Sequence, residues 1–81
     1  MLHRIEVGEG MYEYRVDGHP QVVGLMWNTG SKCHWRVDFL GEIMVSASPG
    51  LDDADRRVSE TLKDIAEYYP GLVFDFSLAT E

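Results

Sequence analysis

Cysteine occurs once in the chain, as Cys33, so no intramolecular disulfide can form and stability has to come from packing. A reducing, cytoplasmic setting suits such a chain. No apolar run approaches the ~20 residues of a membrane-spanning helix. The N-terminus, Met1-Leu2-His3-Arg4-Ile5-Glu6, lacks the apolar stretch of a secretory signal and already alternates like a strand. Positive charge is scarce: seven Lys and Arg stand against fourteen Asp and Glu, a net charge of −7. A surface of that sign repels phosphate backbones and anionic lipid, which argues against membrane partners and against direct nucleic-acid binding.

The motifs of catalysis and cofactor binding are missing as well. His3, His19, Cys33 and His34 show no CxxC, HxH or HExxH spacing. Cys33 and His34 are neighbours on a predicted strand, so their side chains point to opposite faces and cannot clasp one ion. Alternation puts Cys33 on the core side, the wrong place for a nucleophile. Gly8-Glu9-Gly10 lacks the third glycine and the following helix of a dinucleotide fingerprint. No phosphate-binding loop or nucleophile elbow is present. The expectation is a protein with no catalytic residues, no metal and no cofactor.

What the chain does contain is strand periodicity, in 81 residues that suit a single domain, 1–81. Residues 2–7 alternate, with His3, Ile5 and Val7 on one side and Arg4 and Glu6 on the other. After the Gly8-Glu9-Gly10 turn, Tyr12, Tyr14 and Val16 alternate with Glu13, Arg15 and Asp17. Asp17-Gly18-His19-Pro20 reads as a turn. Val22 to Trp27 is apolar on both sides, and Asn28 to Lys32 forms a loop. Cys33, Trp35, Val37 and Phe39 then alternate with His34, Arg36 and Asp38, and Gly41-Glu42 turns the chain into Ile43 to Ala47. Connections this short imply antiparallel pairing, because parallel strands need long crossovers.

Beyond Ser48-Pro49-Gly50 the period changes to that of a helix. Leu51, Ala54, Val58, Leu62, Ile65 and Tyr69 make one apolar stripe. Asp52, Asp53 and Asp55 lie where carboxylates complement the positive end of the helix dipole. Arg56 with Glu60, and Lys63 with Glu67, have i,i+4 spacing. Pro70-Gly71 ends the helix, and Leu72 to Phe76 reads as a strand returning to the sheet. The predicted fold is therefore α+β: an antiparallel meander of about five strands, one amphipathic helix on one sheet face, and a final strand (βββββαβ).

Such a sheet has one uncovered face. Ile5, Val7, Tyr12, Tyr14, Val16, Trp35, Val37, Phe39 and Phe74 are predicted to face the helix. Arg4, Glu6, Glu13, Arg15, His34, Arg36 and Asp38 are predicted to face out, around an apolar centre of Val22, Met26 and Met44. Apolar residues rimmed by charge are typical of a docking face. The second candidate surface is the acidic side of the helix, Asp53, Glu60, Asp64 and Glu67. Residues 51–81 hold eight acids against three bases.

By elimination, the expected function is that of a small acidic protein-interaction module, a non-catalytic inhibitor or regulator that docks on another protein. The candidate contacts are Asp53, Glu60, Asp64, Glu67, Arg15, Met26, His34, Arg36 and Met44, and a basic partner surface would suit the acidic helix. A sharper form is a phage- or mobile-element inhibitor whose carboxylates mimic nucleic-acid phosphates. It would be similar in kind to some anti-CRISPR proteins, although no motif is shared with them. Two alternatives stand beside it. One is a small-molecule binder or minor enzyme with a helix–sheet pocket near Trp27, Tyr68 and Tyr69. The other is a subunit of a homo-oligomer, such as a homodimer formed through the open sheet face.

Overall fold

The computed structural model describes residues 1–79. Five strands form one sheet in sequence order: β1 (Leu2–Gly8), β2 (Met11–Val16), β3 (Gly24–Asn28), β4 (Cys33–Phe39) and β5 (Glu42–Ser48). Every neighbouring pair is antiparallel. A single helix, α1 (Leu51–Glu67), packs on the β4 and β5 side of one face. The α+β meander with one covering helix is the architecture that the two periodicities predict.

Local chemistry explains the elements. The β4–β5 hairpin turns on Leu40 and Gly41, which have φ of 54° and 81°. Both central residues of a type I′ turn lie in that left-handed region, which glycine enters without strain and leucine does not. Leu40 is held there by its side chain, which packs against the core. The helix starts after extended Gly50, and the Asp52 and Asp53 carboxylates in its first turn offset the missing side-chain cap. Arg56 closes on Glu60 at 3.1 Å, the expected i,i+4 pair, and also on Asp53 at 2.6 Å. The helix ends one turn before Pro70, and Tyr69 lies outside it, donating its hydroxyl to the Leu40 carbonyl at 3.2 Å.

The core lies between α1 and the sheet. Ala54, Val58, Leu62 and Ile65 supply the helix stripe, and Tyr14, Val16, Trp35, Val37 and Phe39 the sheet side. Each large apolar side chain so buried contributes about 1.5–3 kcal/mol of gross stabilisation. Phe39, Phe74 and Phe76 meet edge-on or tilted at 5.8–6.1 Å between ring centres, closing one end of the core. Trp35 donates its indole N–H to the Ser48 hydroxyl at 3.1 Å, so the largest buried side chain leaves no polar atom orphaned.

Three predicted placements are corrected. In β1 the faces are exchanged: Ile5 is 43% and Val7 54% exposed, while Leu2 is fully buried. The register Leu2↔Val16 and Arg4↔Tyr14 puts Leu2 and Arg4 on the helix side, so Arg4 does not belong to the outer face. Arg4 is tolerated there because it donates to Asp55 at 2.6 Å and lies over the Tyr12 ring. Met26 is not an outward residue either, since pairing with Tyr12 and Trp35 carries it into the core at 1% exposure. Met44 pairs with Val37 and therefore also turns to the helix side, where it is half-exposed.

After α1 the chain runs back across the bottom of the core without forming a long strand. It reaches the outer edge of β1, where Leu2 and Leu78 make one parallel bridge. The Leu2 amide donates to Ser77 and the Ala79 amide to Leu2, so this segment caps part of that edge.

Candidate protein-interaction surface

Alternation along the strands places Ile5, Met11, Leu25, Trp27, Ile43 and Val45 on the face away from α1, with exposures from 39% to 62%. One cross-strand row reads Ile5, Glu13, Leu25, Arg36, Val45, alternating apolar and charged from edge to edge. The next reads Met11, Trp27, His34, Ala47. Within it the Trp27 and His34 rings stack, 5.6 Å apart and 16° from parallel. The face is thus more apolar than predicted, because β1 contributes Ile5 and β5 contributes Ile43 and Val45.

Charge on this face balances. Glu13 and Asp38 are its acids and Arg15 and Arg36 its bases, each acid lying beside a base on its own strand. Arg15 approaches Glu13 at 3.4 Å, and Arg36 approaches Asp38 at 3.9 Å. The net charge of −7 therefore resides elsewhere on the molecule. Pairs this exposed contribute at most ~1 kcal/mol to stability.

The nine predicted contact residues separate into three groups. Arg15, His34 and Arg36 share the open face, with Arg15 on β2 and the other two on β4, Met26 is buried, and Met44 lies on the opposite side of the sheet. Asp53, Glu60, Asp64 and Glu67 lie along α1, but Asp53 and Glu60 both close on Arg56. Arg56, and then Ser48, hold the Asp53 carboxyl below its ordinary range. Of these four candidates, Asp64 and Glu67 are left without an ion-pair partner among the described residues.

No buried side-chain nitrogen or oxygen lacks a partner among the described residues. Trp27 lies on the open face, apart from Tyr68 and Tyr69, so these three do not line a common pocket. A surface groove of about 400 Å³ does run between β5 and α1, lined by Met44, Ile65 and Tyr68 among others. Cys33 is buried. No helix is long and apolar enough to cross a membrane, and no three metal-ligating side chains converge among the described residues.

Sequence reasoning missed one polar cluster. Asp55 accepts the Tyr14 hydroxyl and the Arg4 guanidinium, each at 2.6 Å. Burial, and then the bond to Asp55, push the Tyr14 hydroxyl well above its ordinary pKa. A phenol held neutral in this way donates to one fixed acceptor. The cluster ties α1 to β1 and β2, and it opens only onto a small surface recess beside Leu78.

Comparison of the chain with known protein families, with characterised proteins and with solved structures gives no match.

Proposed function

We propose that this chain is a non-catalytic protein-interaction module that docks on another protein through its uncovered sheet face. The observation that supports this is the row Ile5, Glu13, Leu25, Arg36, Val45, with Trp27 and Ile43 beside it. Large apolar side chains concentrated on one face mark a docking surface on a small domain. The occupant it fits is a mainly apolar protein surface, because the charged members of the row, Glu13 and Arg36, are already paired with Arg15 and Asp38.

The open face is a better docking site than the acidic helix, because Arg56 already satisfies Asp53 and Glu60, two of the four candidate carboxylates there. Burying half-exposed Leu, Ile, Val and Trp side chains favours association by about 25 cal/mol per Å² of apolar surface removed from water. The module would inhibit or regulate its partner by occupying a surface that the partner needs.

Capture from lysate of the encoding organism tests this. The captured protein should be lost with Leu25→Ser/Trp27→Ser and retained with Asp53→Ala/Glu60→Ala/Asp64→Ala/Glu67→Ala. The reverse pattern would move the docking site to the helix and restore the phosphate-mimic reading.

A further inference from the structure

The two edges of the sheet are treated very differently. The β1 edge carries His3, Arg4 and Glu6, has an irregular register between Glu6 and Gly8, and is capped at Leu2 by residues 77–79. Charge, bulges and coverage are the devices by which proteins keep an edge strand from pairing with another chain. The β5 edge has neither a bulge nor a cover, and almost no charge. Glu42-Ile43-Met44-Val45-Ser46-Ala47-Ser48 contains no lysine, no proline and no bulge, and its one charge is at the end. Among the described residues no backbone group pairs with its outer side.

The hairpin fixes which groups are free. In a two-residue hairpin the residues flanking the turn, here Phe39 and Glu42, exchange ladder hydrogen bonds, and the bonded pairs then alternate. Met44, Ser46 and Ser48 thus bond inward to β4. Ile43, Val45 and Ala47 direct their N–H and C=O groups outward.

We infer that β5 pairs antiparallel with β5 of a second copy of this chain, about a two-fold axis at Val45. In that register Val45 faces Val45 and Ile43 faces Ala47 on the open face. Met44 faces Ser46 on the helix side. Glu42 lies opposite Ser48, so the two Glu42 carboxylates stand about 20 Å apart, roughly six residues of strand. The three outward residues of each strand use all their free ladder groups. A chain of net charge −7 repels its own copies over most of its surface, and this nearly uncharged edge is where that repulsion is weakest. Apolar surface is available to bury: Met44 and Val45 are 51% and 62% exposed, and Tyr68 at the end of α1 overhangs the neighbouring groove at 82%. The product is a continuous ten-stranded sheet, whose two open faces lie side by side as one bivalent platform.

This pairing goes beyond the docking role and stands on separate residues. Sedimentation velocity from about 1 to 300 µM tests it, a range that brackets a micromolar dimer. The weight-average mass of the wild-type chain should rise toward twice the monomer value. Val45→Lys places two cations on the axis, and Val45→Pro removes an outward N–H that the β4 ladder does not use. Each should weaken the dimer at least ~10-fold. Amide hydrogen exchange of the wild-type chain gives a readout without substitution, since Ile43, Val45 and Ala47 should gain protection as concentration rises. A monomer at every concentration would overturn the inference. So would exchange at those amides that is independent of concentration. A dimer abolished by Leu25→Ser/Trp27→Ser but unaffected at Val45 would overturn it in favour of face-to-face association. Lost partner capture with unchanged sedimentation would concern the docking face alone.

Discussion

The Tyr14 hydroxyl donates to Asp55 at 2.6 Å, joining β2 to the start of α1 across 41 residues of sequence. Arg4 on β1 shares the same carboxylate. One side chain thus fixes how the helix sits on the first two strands, at the end where apolar packing from α1 is sparsest. Asp55→Ala would leave the buried Tyr14 hydroxyl with only the Met26 sulfur, 3.7 Å away. The expected cost is about 1–3 kcal/mol, the usual penalty of an orphaned buried donor. Tyr14→Phe removes that donor altogether and should cost about half as much. Urea midpoints measure both, and equal stability in all three proteins would contradict this role.

The same bond makes the fold sensitive to alkali. The Tyr14 hydroxyl titrates above its ordinary value of 10.0 in the folded chain, through burial first and the Asp55 hydrogen bond second. A raised folded pKa means that the unfolded chain loses this proton first. The stabilisation is therefore complete below pH 10 and declines as pH rises above it. Wild-type stability should fall faster than that of Tyr14→Phe over this interval. Parallel pH profiles would show that Tyr14 is not so coupled.

On the acid side Asp17 plays the opposite part. Its carboxylate accepts from His3 and from the N-terminal ammonium, each at 3.0 Å, and His3 first and the N-terminus second hold its pKa below 3.8. A lowered folded pKa gives stability that is present above the ordinary carboxylate pKa and lost as pH falls through the folded value. Asp17→Asn should flatten the acid limb of the stability profile. The site is exposed, so high salt should weaken the effect in the wild-type chain. A salt-independent acid limb would point to other carboxylates.

Ser48 accepts the Trp35 indole N–H at 3.1 Å, with no other partner among the described residues, and both residues are buried. Ser48→Ala should destabilise by about 1–3 kcal/mol, far more than a serine-to-alanine change at a strand end on the surface. A change within about 0.5 kcal/mol would mean that the indole finds another acceptor.

These contacts also show where the sequence was readable. In β4, Cys33, Trp35, Val37 and Phe39 alternate with His34, Arg36 and Asp38, and the structure buries the first set, exposes Arg36 and Asp38 and leaves His34 half-buried. The α1 stripe was equally plain, because polar residues separate its apolar members. In β1 the pattern misled. Ile5 and Val7 look like core residues, but the strand turns the other way, burying Leu2 and bringing Arg4 to a residue 51 positions away. Met26 and Met44 were ambiguous for another reason: Leu25, Trp27, Ile43 and Val45 beside them are also apolar, so period-2 alternation cannot choose a face. The apolar row of the open face was hidden by the same ambiguity, since it emerges only when five strands fall into register.

The docking role of the open face is tested most directly by photo-cross-linking. A photoreactive amino acid at Leu25, in the centre of the face, and another at Glu67, on the acidic helix, would be compared in lysate of the encoding organism. Leu25 should yield one discrete adduct with another protein. Unlabelled wild-type chain should compete it away, and the Leu25→Ser/Trp27→Ser competitor should not. An adduct formed only from Glu67, or one that both competitors displace equally, would contradict the account.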